Sequence, residues 1–238
     1  MVGIGPGEPL DRTRRAEEAI AQSKVVVGYR RYLEMIADLT AGKELIASGM
    51  TQEIERCRQA LGRAQQGEIV ALISSGDPGI YGMAGLAIEL AAAEGFKIPL
   101  EIIPGVTSAN AAAGKLGAPL MLDYAAISLS DLLVPWGIIC DRLEAVAAAD
   151  LVVALYNPRS KKRTKQLAEA AAILRKYRPG TTPVGIGTAV GTDGERMVRT
   201  DLDHFLKEQV GMRSIVLVGN RSSKWVEGWF ITPRGYRV

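Results

Sequence analysis

Histidine and cysteine are nearly absent from this chain. Its 238 residues contain one histidine, His204, and two cysteines, Cys57 and Cys140, with no CxxC motif. A disulfide framework and a zinc site are therefore not indicated. The chain also lacks a GxSxG motif and a Ser-His-Asp set. We predict no metal ligands, and the sequence identifies no catalytic acid or base. We expect His204 to lie on the solvent side of an amphipathic helix in "TDLDHFLKE".

Aromatic residues, strong net charge and long apolar runs are also scarce. Aromatic residues make up 5% of the chain, too few to favour a surface on which bases stack. A net charge of +3 fits an acidic small molecule better than nucleic acid. No apolar run reaches the length of about 18 residues that spans a membrane, and the N-terminus lacks a basic-then-apolar leader. We expect a cytoplasmic protein that binds neither membrane nor nucleic acid.

Strand and helix patterns alternate through the first half of the chain. Apolar strands are predicted at "MVGIG", "KVVVG", "ELIAS", "EIVALI" and "PLEIIPG". Helices are predicted between them, at residues 10–22, at "YRRYLEMIADL", at "TQEIERCRQALGRAQQG" and after Pro78. This βα rhythm is typical of a mostly parallel sheet with helices on its faces. We expect an N-terminal α/β domain over residues 1–120.

The rhythm changes in the second half. Strands are predicted at "YAAISLS", "DLVVALY", "PVGIGT", "ERMVRT" and "SIVLVG", and a basic helix over residues 160–177. The stretch "GTDGERMV" has the pattern of a hairpin, which favours a more antiparallel sheet. We expect a C-terminal mixed α/β domain over residues 121–238.

The segment "SSGDPGIYG", residues 74–82, follows a buried strand. Asp77 suits a helix N-cap and Pro78 suits a first helical position, so the pattern predicts a sharp strand-to-helix turn. Ligands of open α/β sheets collect at the carboxyl ends of strands. The segment is therefore either a binding edge or only a well-capped turn.

Three further segments leave the same choice open. "GIGPGEP", residues 3–9, is glycine-rich but matches neither GxGxxG nor GxxxxGK[ST], so it is either a ligand loop or a tight turn. The alanines of "IIPGVTSANAAAGKLG" suit either a ligand or tight packing on a sheet. "ALYNPRSKKRTKQL" places five basic residues after a strand, where those nearest the strand end are positioned to meet carboxylates.

Together these segments resemble the tetrapyrrole methylases of cobalamin biosynthesis. The likeness rests on "VGIGPGEP", "SSGDPGIYGMAG", "IIPGVTSANAAAGKLGAPL", "ISLSDLLVPW" and "ALYNPRSKKRT", in that order and spacing. "LYNPRSKKRT" and the closing "TPRGY" are similar to the branch that methylates C17 of precorrin-3B or cobalt-factor III. Methyl transfer from a sulfonium suits a chain with little acid–base machinery, because the methyl group is already activated and mainly needs alignment.

The resemblance implies a two-domain α/β homodimer with S-adenosylmethionine (SAM) in a cleft between the domains. The residues that would contact SAM are Gly76, Asp77, Ile80, Tyr81, Thr107, Ser108, Tyr156, Asn157, Gly187, Val218, Gly219 and Asn220. The residues that would contact the tetrapyrrole are Gly3, Gly5, Pro6, Gly7, Arg159, Lys161 and Lys162. Asp77 would accept hydrogen bonds from SAM while also capping its helix.

The implied reaction methylates C17, accompanies contraction of the macrocycle and leaves S-adenosylhomocysteine, with cobalt present only if the substrate carries it. Relatives often have a histidine where this chain has Leu122, and arginines where it has Thr188 and Thr192. We therefore hypothesise that methyl transfer survives while ring contraction is impaired. The alternatives are a methylase of another ring carbon, a diphthine-forming enzyme, and a tetrapyrrole carrier without activity.

Overall fold

The computed structural model describes residues 1–237, and the chain divides into two units after Thr107. The sequence pattern predicts this boundary near residue 120, about 13 residues later in the chain. Helix α5 (Ser108–Leu116) explains the earlier division, because its buried alanines pack with residues of the second unit. Within the described range, no helix combines the length and apolar character needed to cross a bilayer.

The first unit contains a four-stranded sheet in which every neighbouring pair is parallel. Its strands are β1 (Val2–Gly3), β2 (Val25–Tyr29), β3 (Glu44–Ser48) and β4 (Val70–Ser74), in the order β1-β4-β2-β3. Because all four run the same way, the loops that follow them lie at one edge of the sheet. The predicted parallel sheet is confirmed.

Helices cover both faces of this sheet. They are α1 (Arg14–Gln22), α2 (Arg30–Glu34), α3 (Glu53–Gln65) and α4 (Ala84–Ala93). Val26 packs in one apolar cluster with Ile20 of α1 and Leu33 of α2, whereas its neighbour Val27 packs in another with Ala60 of α3. Successive strand side chains point to opposite faces, so the continuous apolar run of β2 fills both layers.

Three predictions for the first unit need correction. The helix expected from residue 10 begins at Arg14, because the hydroxyl of Thr13 accepts the N–H of Ala16 at 3.1 Å and caps it. The helix in "YRRYLEMIADL" is split into α2 and a 3-10 turn at Ala37–Leu39. "PLEIIPG" forms one bridge to β1 at Ile103 and no strand, since its two prolines lack the N–H that a ladder needs.

The second unit has two sheets that mix parallel and antiparallel pairs, one with five strands and one with three. The strands are β5 (Gly117–Ala118), β6 (Tyr124–Ser128), β7 (Val152–Tyr156), β8 (Pro183–Thr188), β9 (Arg196–Asp201), β10 (Ser214–Val218), β11 (Lys224–Val226) and β12 (Trp229–Ile231). The larger sheet has the order β6-β7-β10-β8-β9, with only β6 and β7 parallel. Helices α6 (Trp136–Ala148) and α7 (Gln166–Arg175) share its main apolar cluster.

The predicted hairpin is confirmed, because β8 and β9 pair antiparallel around "GTDGE". The prediction of an amphipathic helix around His204 is wrong. Asp201 ends β9 and its carboxylate accepts the backbone N–H groups of Asp203 and His204 at 3.0 and 2.9 Å. This Asx turn replaces the first turn of a helix, and only a 3-10 turn at Phe205–Lys207 follows. His204 is exposed and lies against Asp201.

Glu68 forms an ion network with Arg63 and Lys24 on the first unit, and this network should make stability depend on pH. The hydrogen bond from Arg63, followed by that from Lys24, lowers the pKa of the Glu68 carboxyl to about 2 from an ordinary 4.5. A carboxyl whose pKa is lower in the folded state stabilises the fold above its unfolded pKa and stops doing so as the pH falls through the folded value. We therefore expect the unfolding free energy of Glu68→Gln to fall less steeply than wild type between pH 4.5 and pH 2.

Urea unfolding across that pH range measures the difference. Glu89→Gln removes an exposed carboxylate from α4 that forms no ion pair among the described residues, so this control should keep the wild-type slope. Identical slopes for Glu68→Gln and wild type would show that the network does not bias folding.

Candidate active site

Three loops of the first unit interlock at the carboxyl edge of its sheet. The N–H of Gly76 donates to the carbonyl of Gly5 at 2.7 Å, and the N–H of Gly5 donates back to Gly76 at 3.2 Å. The N–H of Gly3 donates to Ile103 at 2.9 Å, which attaches the third loop. Three segments therefore form one backbone cluster: the glycine loop (residues 3–9), the "SGDPG" turn (residues 75–79) and the segment before α5 (residues 102–107).

Close packing explains why this cluster uses glycine. A Cβ on Gly3 would lie 2.7 Å from the amide nitrogen of Gly105 and from the carbonyl oxygen of Gly76. A Cβ on Gly105 would overlap that same carbonyl oxygen and lie 2.9 Å from the carbonyl carbon of Gly3. Gly5 has φ +74°, a left-handed conformation that favours glycine. Close contacts with protein backbone thus explain why positions 3, 5 and 105 are glycine.

Asp77 holds two of these loops together and does not cap α4. One carboxylate oxygen accepts the N–H of Gly79 at 2.7 Å, and the other accepts the N–H of Gly105 at 3.0 Å. The predicted direct passage from Asp77 into a helix is wrong, because residues 78–83 form irregular turns and α4 begins at Ala84. The Asx turn made by Asp77 takes the place of the expected helix start.

Apolar side chains remain exposed on this turn. Ile80 and Tyr81 are 39% and 52% accessible, and Tyr81 has φ +53°, which is uncommon for a residue with a side chain. Thr107, at the end of the third loop, is buried. Ligand sites often combine a residue in an uncommon backbone conformation with exposed apolar surface and a nearby polar group, as Tyr81, Ile80 and Asp77 do here.

The second unit has a corresponding edge at the ends of β6 and β7. The Tyr156 hydroxyl accepts the N–H of Ala109 at 3.3 Å and thereby satisfies a free donor in the first turn of α5, which begins at Ser108. Asn157 follows with φ +49°, and its amide donates to the Ser128 hydroxyl at 3.0 Å. Tyr156, Asn157 and Ser108 therefore lie in one group.

The end of β8 belongs to the same edge. β10 lies between β7 and β8, so the ends of β7 and β8 are about 10 Å apart. A Cβ on Gly187 would lie 3.0 Å from that of Ala112, so this glycine lets α5 pack closely on the sheet. Ala189 has φ +51°, and its carbonyl accepts the Thr192 hydroxyl at 2.8 Å. The Thr188 hydroxyl lies 2.7 Å from that of Ser214.

Residues 218–220 do not belong to this group. β10 is antiparallel to both neighbours: Ile215 pairs with Gly187, whereas Val218 pairs with Val153 near the start of β7. Four residues of strand place Gly219 about 13 Å from the edge that holds Tyr156 and Gly187. The structure therefore does not bring Val218, Gly219 and Asn220 together with the other predicted residues of this unit.

Local contacts explain residues 218–220 instead. The guanidinium of buried Arg178 donates to the carbonyls of Gly219 and Leu151, joining the end of β10 to the start of β7. The side-chain oxygen of Asn220 accepts the N–H of Ser222 at 3.0 Å and closes the turn that follows. These contacts are structural.

The basic stretch after β7 is a loop, and its residues have different roles. The expected helix begins at Gln166, after the basic run. Arg163 donates two hydrogen bonds to the carbonyl of Asn157, at 2.9 and 3.1 Å. By contrast, Arg159, Lys161 and Lys162 are exposed and form no ion pair within residues 1–237. Three cations thus remain available beside Asn157.

Arg163 should therefore affect stability more than its neighbours do. Arg163→Met leaves the Asn157 carbonyl without two charge-assisted donors, and we expect the unfolding free energy to fall by about 1–3 kcal/mol. Lys165→Met is the control. It removes a charge from the same loop, and the side chain of Lys165 has no hydrogen-bond partner in the described range. This control should unfold at the wild-type urea midpoint; an equal loss in both variants would contradict the role given to Arg163.

Sequence reasoning missed two residues of this edge. Nothing in "GTAV" indicates that Ala189 adopts a left-handed conformation. Ser128 stands in the "ISLSDLL" motif, but its contact with Asn157 depends on the pairing of β6 with β7. Burial raises the pKa of the Cys57 thiol to about 11, which disfavours the nucleophilic thiolate form. In the described part of the chain, no three His, Cys, Asp or Glu residues are placed to hold a metal ion.

Each of the two α/β units presents backbone groups and small polar side chains at its strand ends, and the second unit adds exposed cations. Groups of this kind suit a group-transfer enzyme that works by aligning its substrates. A family model of the tetrapyrrole (corrin/porphyrin) methylases matches residues 1–206. The chain belongs to this family.

Named relatives support a narrower grouping. The chain is 46% identical over its whole length to the probable cobalt-factor III C(17)-methyltransferase of Salmonella typhimurium, covering 99% of that protein. It is also 46% identical to the cobalt-factor III methyltransferase of Priestia megaterium, but spans only 45% of that protein's length. It is 40% identical to a precorrin-3B C(17)-methyltransferase of a Sinorhizobium species, with 99% and 96% of the two chains covered.

A solved structure agrees with the fold. The crystal structure of the methyltransferase CobJ superposes with a TM-score of 0.92 at 36% identity, with 98% of each chain covered. The predicted α/β fold and the predicted methyltransferase of this family are confirmed. The prediction that it belongs with the C17-methylating branch of cobalamin biosynthesis agrees with the names of these relatives.

Proposed function

We propose that this enzyme transfers a methyl group from SAM to C17 of cobalt-factor III. The observation that carries the proposal is the 46% identity to the Salmonella protein over 99% of that protein's length. Precorrin-3B is the second candidate, supported by the 40% identical Sinorhizobium relative. The free cations beside Asn157 support either substrate, because both macrocycles carry carboxylates.

The residues at the two edges fit SAM. Ile80 and Tyr81 offer exposed apolar surface, as an adenine ring requires, next to the carboxylate of Asp77. Each Asp77 oxygen accepts one backbone N–H and keeps a lone pair for a donor of the ligand. We assign SAM binding to Gly76, Asp77, Ile80, Tyr81 and Thr107 of the first unit. From the second unit we assign Ser108, Tyr156, Asn157 and Gly187; residues 218–220 lie at the other edge of the sheet and are not assigned.

Bound SAM would supply a methyl group that is already activated by its sulfonium. The chain's contribution is then to hold the acceptor in line and to exclude water, for which rigid backbone suffices. The interlocked glycine loops and the left-handed residues Tyr81, Asn157 and Ala189 provide that rigidity. We assign the tetrapyrrole to the loop of Gly3, Gly5, Pro6 and Gly7 and to Arg159, Lys161 and Lys162.

We further propose that ring contraction is impaired. Thr188 and Thr192 stand where the family resemblance implies arginines; they form hydrogen bonds with Ser214 and Ala189 and offer no charge. Leu122 is partly exposed and brings no titratable group. We also propose that the enzyme is a cytoplasmic homodimer that does not bind nucleic acid; the family resemblance, the small net charge and the few aromatic residues support this.

Anaerobic turnover tests the proposed function. Purified enzyme is incubated with SAM and either cobalt-factor III or precorrin-3B, and S-adenosylhomocysteine is quantified. We expect stoichiometric release with cobalt-factor III, little contracted product, and more of it from a Leu122→His variant. No release with either ring while SAM still binds would indicate another substrate or a carrier without activity, and contracted product from wild type in full yield would contradict impaired contraction.

A further inference from the structure

A depression of about 510 Å³ lies at the ends of β2 and β3 in the first unit. It is lined by Tyr29, Arg30, Arg31, Glu34, Ser48, Gly49 and Met50. Arg30 and Arg31 are exposed and form no ion pair among residues 1–237, and Glu34 is the one carboxylate of the lining. The depression therefore carries two free cations against one anion.

A third cation stands directly behind its wall. Arg56 of α3 is only 3% exposed, yet no carboxylate contacts it in the described structure. Its guanidinium donates to the Ser48 hydroxyl at 2.5 Å, the Gly49 carbonyl at 2.6 Å and the Met83 sulfur at 3.2 Å. It also lies 6.0 Å from the centre of the Tyr29 ring. Buried charges are normally paired with an opposite charge, so an anion in the depression would compensate this one.

The depression shares an edge with the glycine loop. β1, β4, β2 and β3 are parallel neighbours in that order, so the ends of β2 and β3 lie about 10–15 Å from the end of β1. A tetrapyrrole held over the glycine loop carries its carboxylates outward from the macrocycle. Carboxylates at its periphery would then lie within reach of Arg30 and Arg31 along this edge.

We propose that this depression is a carboxylate subsite for the periphery of the tetrapyrrole, with Arg30 and Arg31 as direct contacts and Arg56 as the buried charge behind them. The proposal rests on the proposed function, because the ligand is the substrate of that reaction. Glu34 opposes it electrostatically, so its removal strengthens binding. Planar guanidinium groups suit carboxylates, which they contact through two parallel hydrogen bonds.

The test uses uroporphyrin III, a fluorescent polycarboxylate tetrapyrrole, as the probe. Its affinity is measured by fluorescence anisotropy, so the result does not depend on turnover. We expect Arg30→Ala/Arg31→Ala to weaken binding by about tenfold at low salt, with a smaller difference at high salt. Glu34→Gln should bind at least as tightly as wild type, and the SAM affinity of all variants should be unchanged.

The control is Lys97→Ala/Arg142→Ala, which removes the same charge from exposed positions that form no ion pair in the described range. This variant should bind the probe like wild type. Equal affinities for the Arg30/Arg31 variant and wild type, equal losses in the control, or no binding of the probe to wild type would each overturn the subsite. Arginine-dependent probe binding without methyl transfer from SAM would instead overturn the proposed function alone.

Discussion

Gly105→Ala should lower the free energy of unfolding by about 3 kcal/mol, near the upper end of what overpacking costs. The new Cβ would overlap the carbonyl oxygen of Gly76 and lie 2.9 Å from the carbonyl carbon of Gly3. Both neighbours are backbone in hydrogen-bonded loops, so neither moves as a flexible side chain would. The hydrogen bond from Gly105 to Asp77 would be lost with the shift. Urea unfolding followed by circular dichroism measures the change.

Gly62→Ala is the matched control in the same unit. Gly62 lies inside α3, and a Cβ there would have nothing within 4 Å. Alanine in a helix interior is favoured over glycine by about 0.5–1 kcal/mol, so this variant should be slightly more stable than wild type. A Gly105→Ala protein that unfolds at the wild-type midpoint would contradict the interlocked loops described above.

Asp77→Ala should weaken SAM binding by about 1–3 kcal/mol, or roughly 5- to 150-fold in Kd. The change removes a carboxylate that could accept hydrogen bonds from the ligand. It also leaves the N–H groups of Gly79 and Gly105 without their acceptor, which loosens the turn carrying Ile80 and Tyr81. Calorimetric titration with SAM measures the affinity.

Asp77→Asn separates these two contributions. The amide keeps one oxygen acceptor for a loop N–H but removes the negative charge, so we expect an affinity between those of wild type and Asp77→Ala. A folded Asp77→Ala protein with unchanged affinity would show that Asp77 only ties the two loops together.

The sheet of the first unit was predictable because its signals are local. Apolar runs such as "KVVVG" and "ELIAS" alternate with amphipathic helices, and that alternation specifies parallel strands. The role of Asp77 was not predictable, because its acceptor geometry depends on Gly105, which is distant in sequence. Aspartate before proline fits a helix start and an Asx turn equally well.

The second unit shows what a motif can and cannot transfer. Tyr156 and Asn157 follow a strongly apolar strand, and the structure places them at one edge with Ser108 and Gly187. The resemblance also implied residues 218–220, but a motif does not show in which direction its strand runs. Because β10 is antiparallel to β7, its end lies at the other edge of the sheet. Pairing between distant segments decides that direction.

Transfer of an isotopically labelled methyl group tests the central claim most directly. The enzyme is incubated anaerobically with SAM bearing a carbon-13 methyl and with cobalt-factor III, and the product is analysed by mass spectrometry and by carbon NMR. We predict one added labelled methyl, located at C17. A label at another ring carbon, or an unlabelled ring recovered from a protein that still binds SAM, would contradict the account.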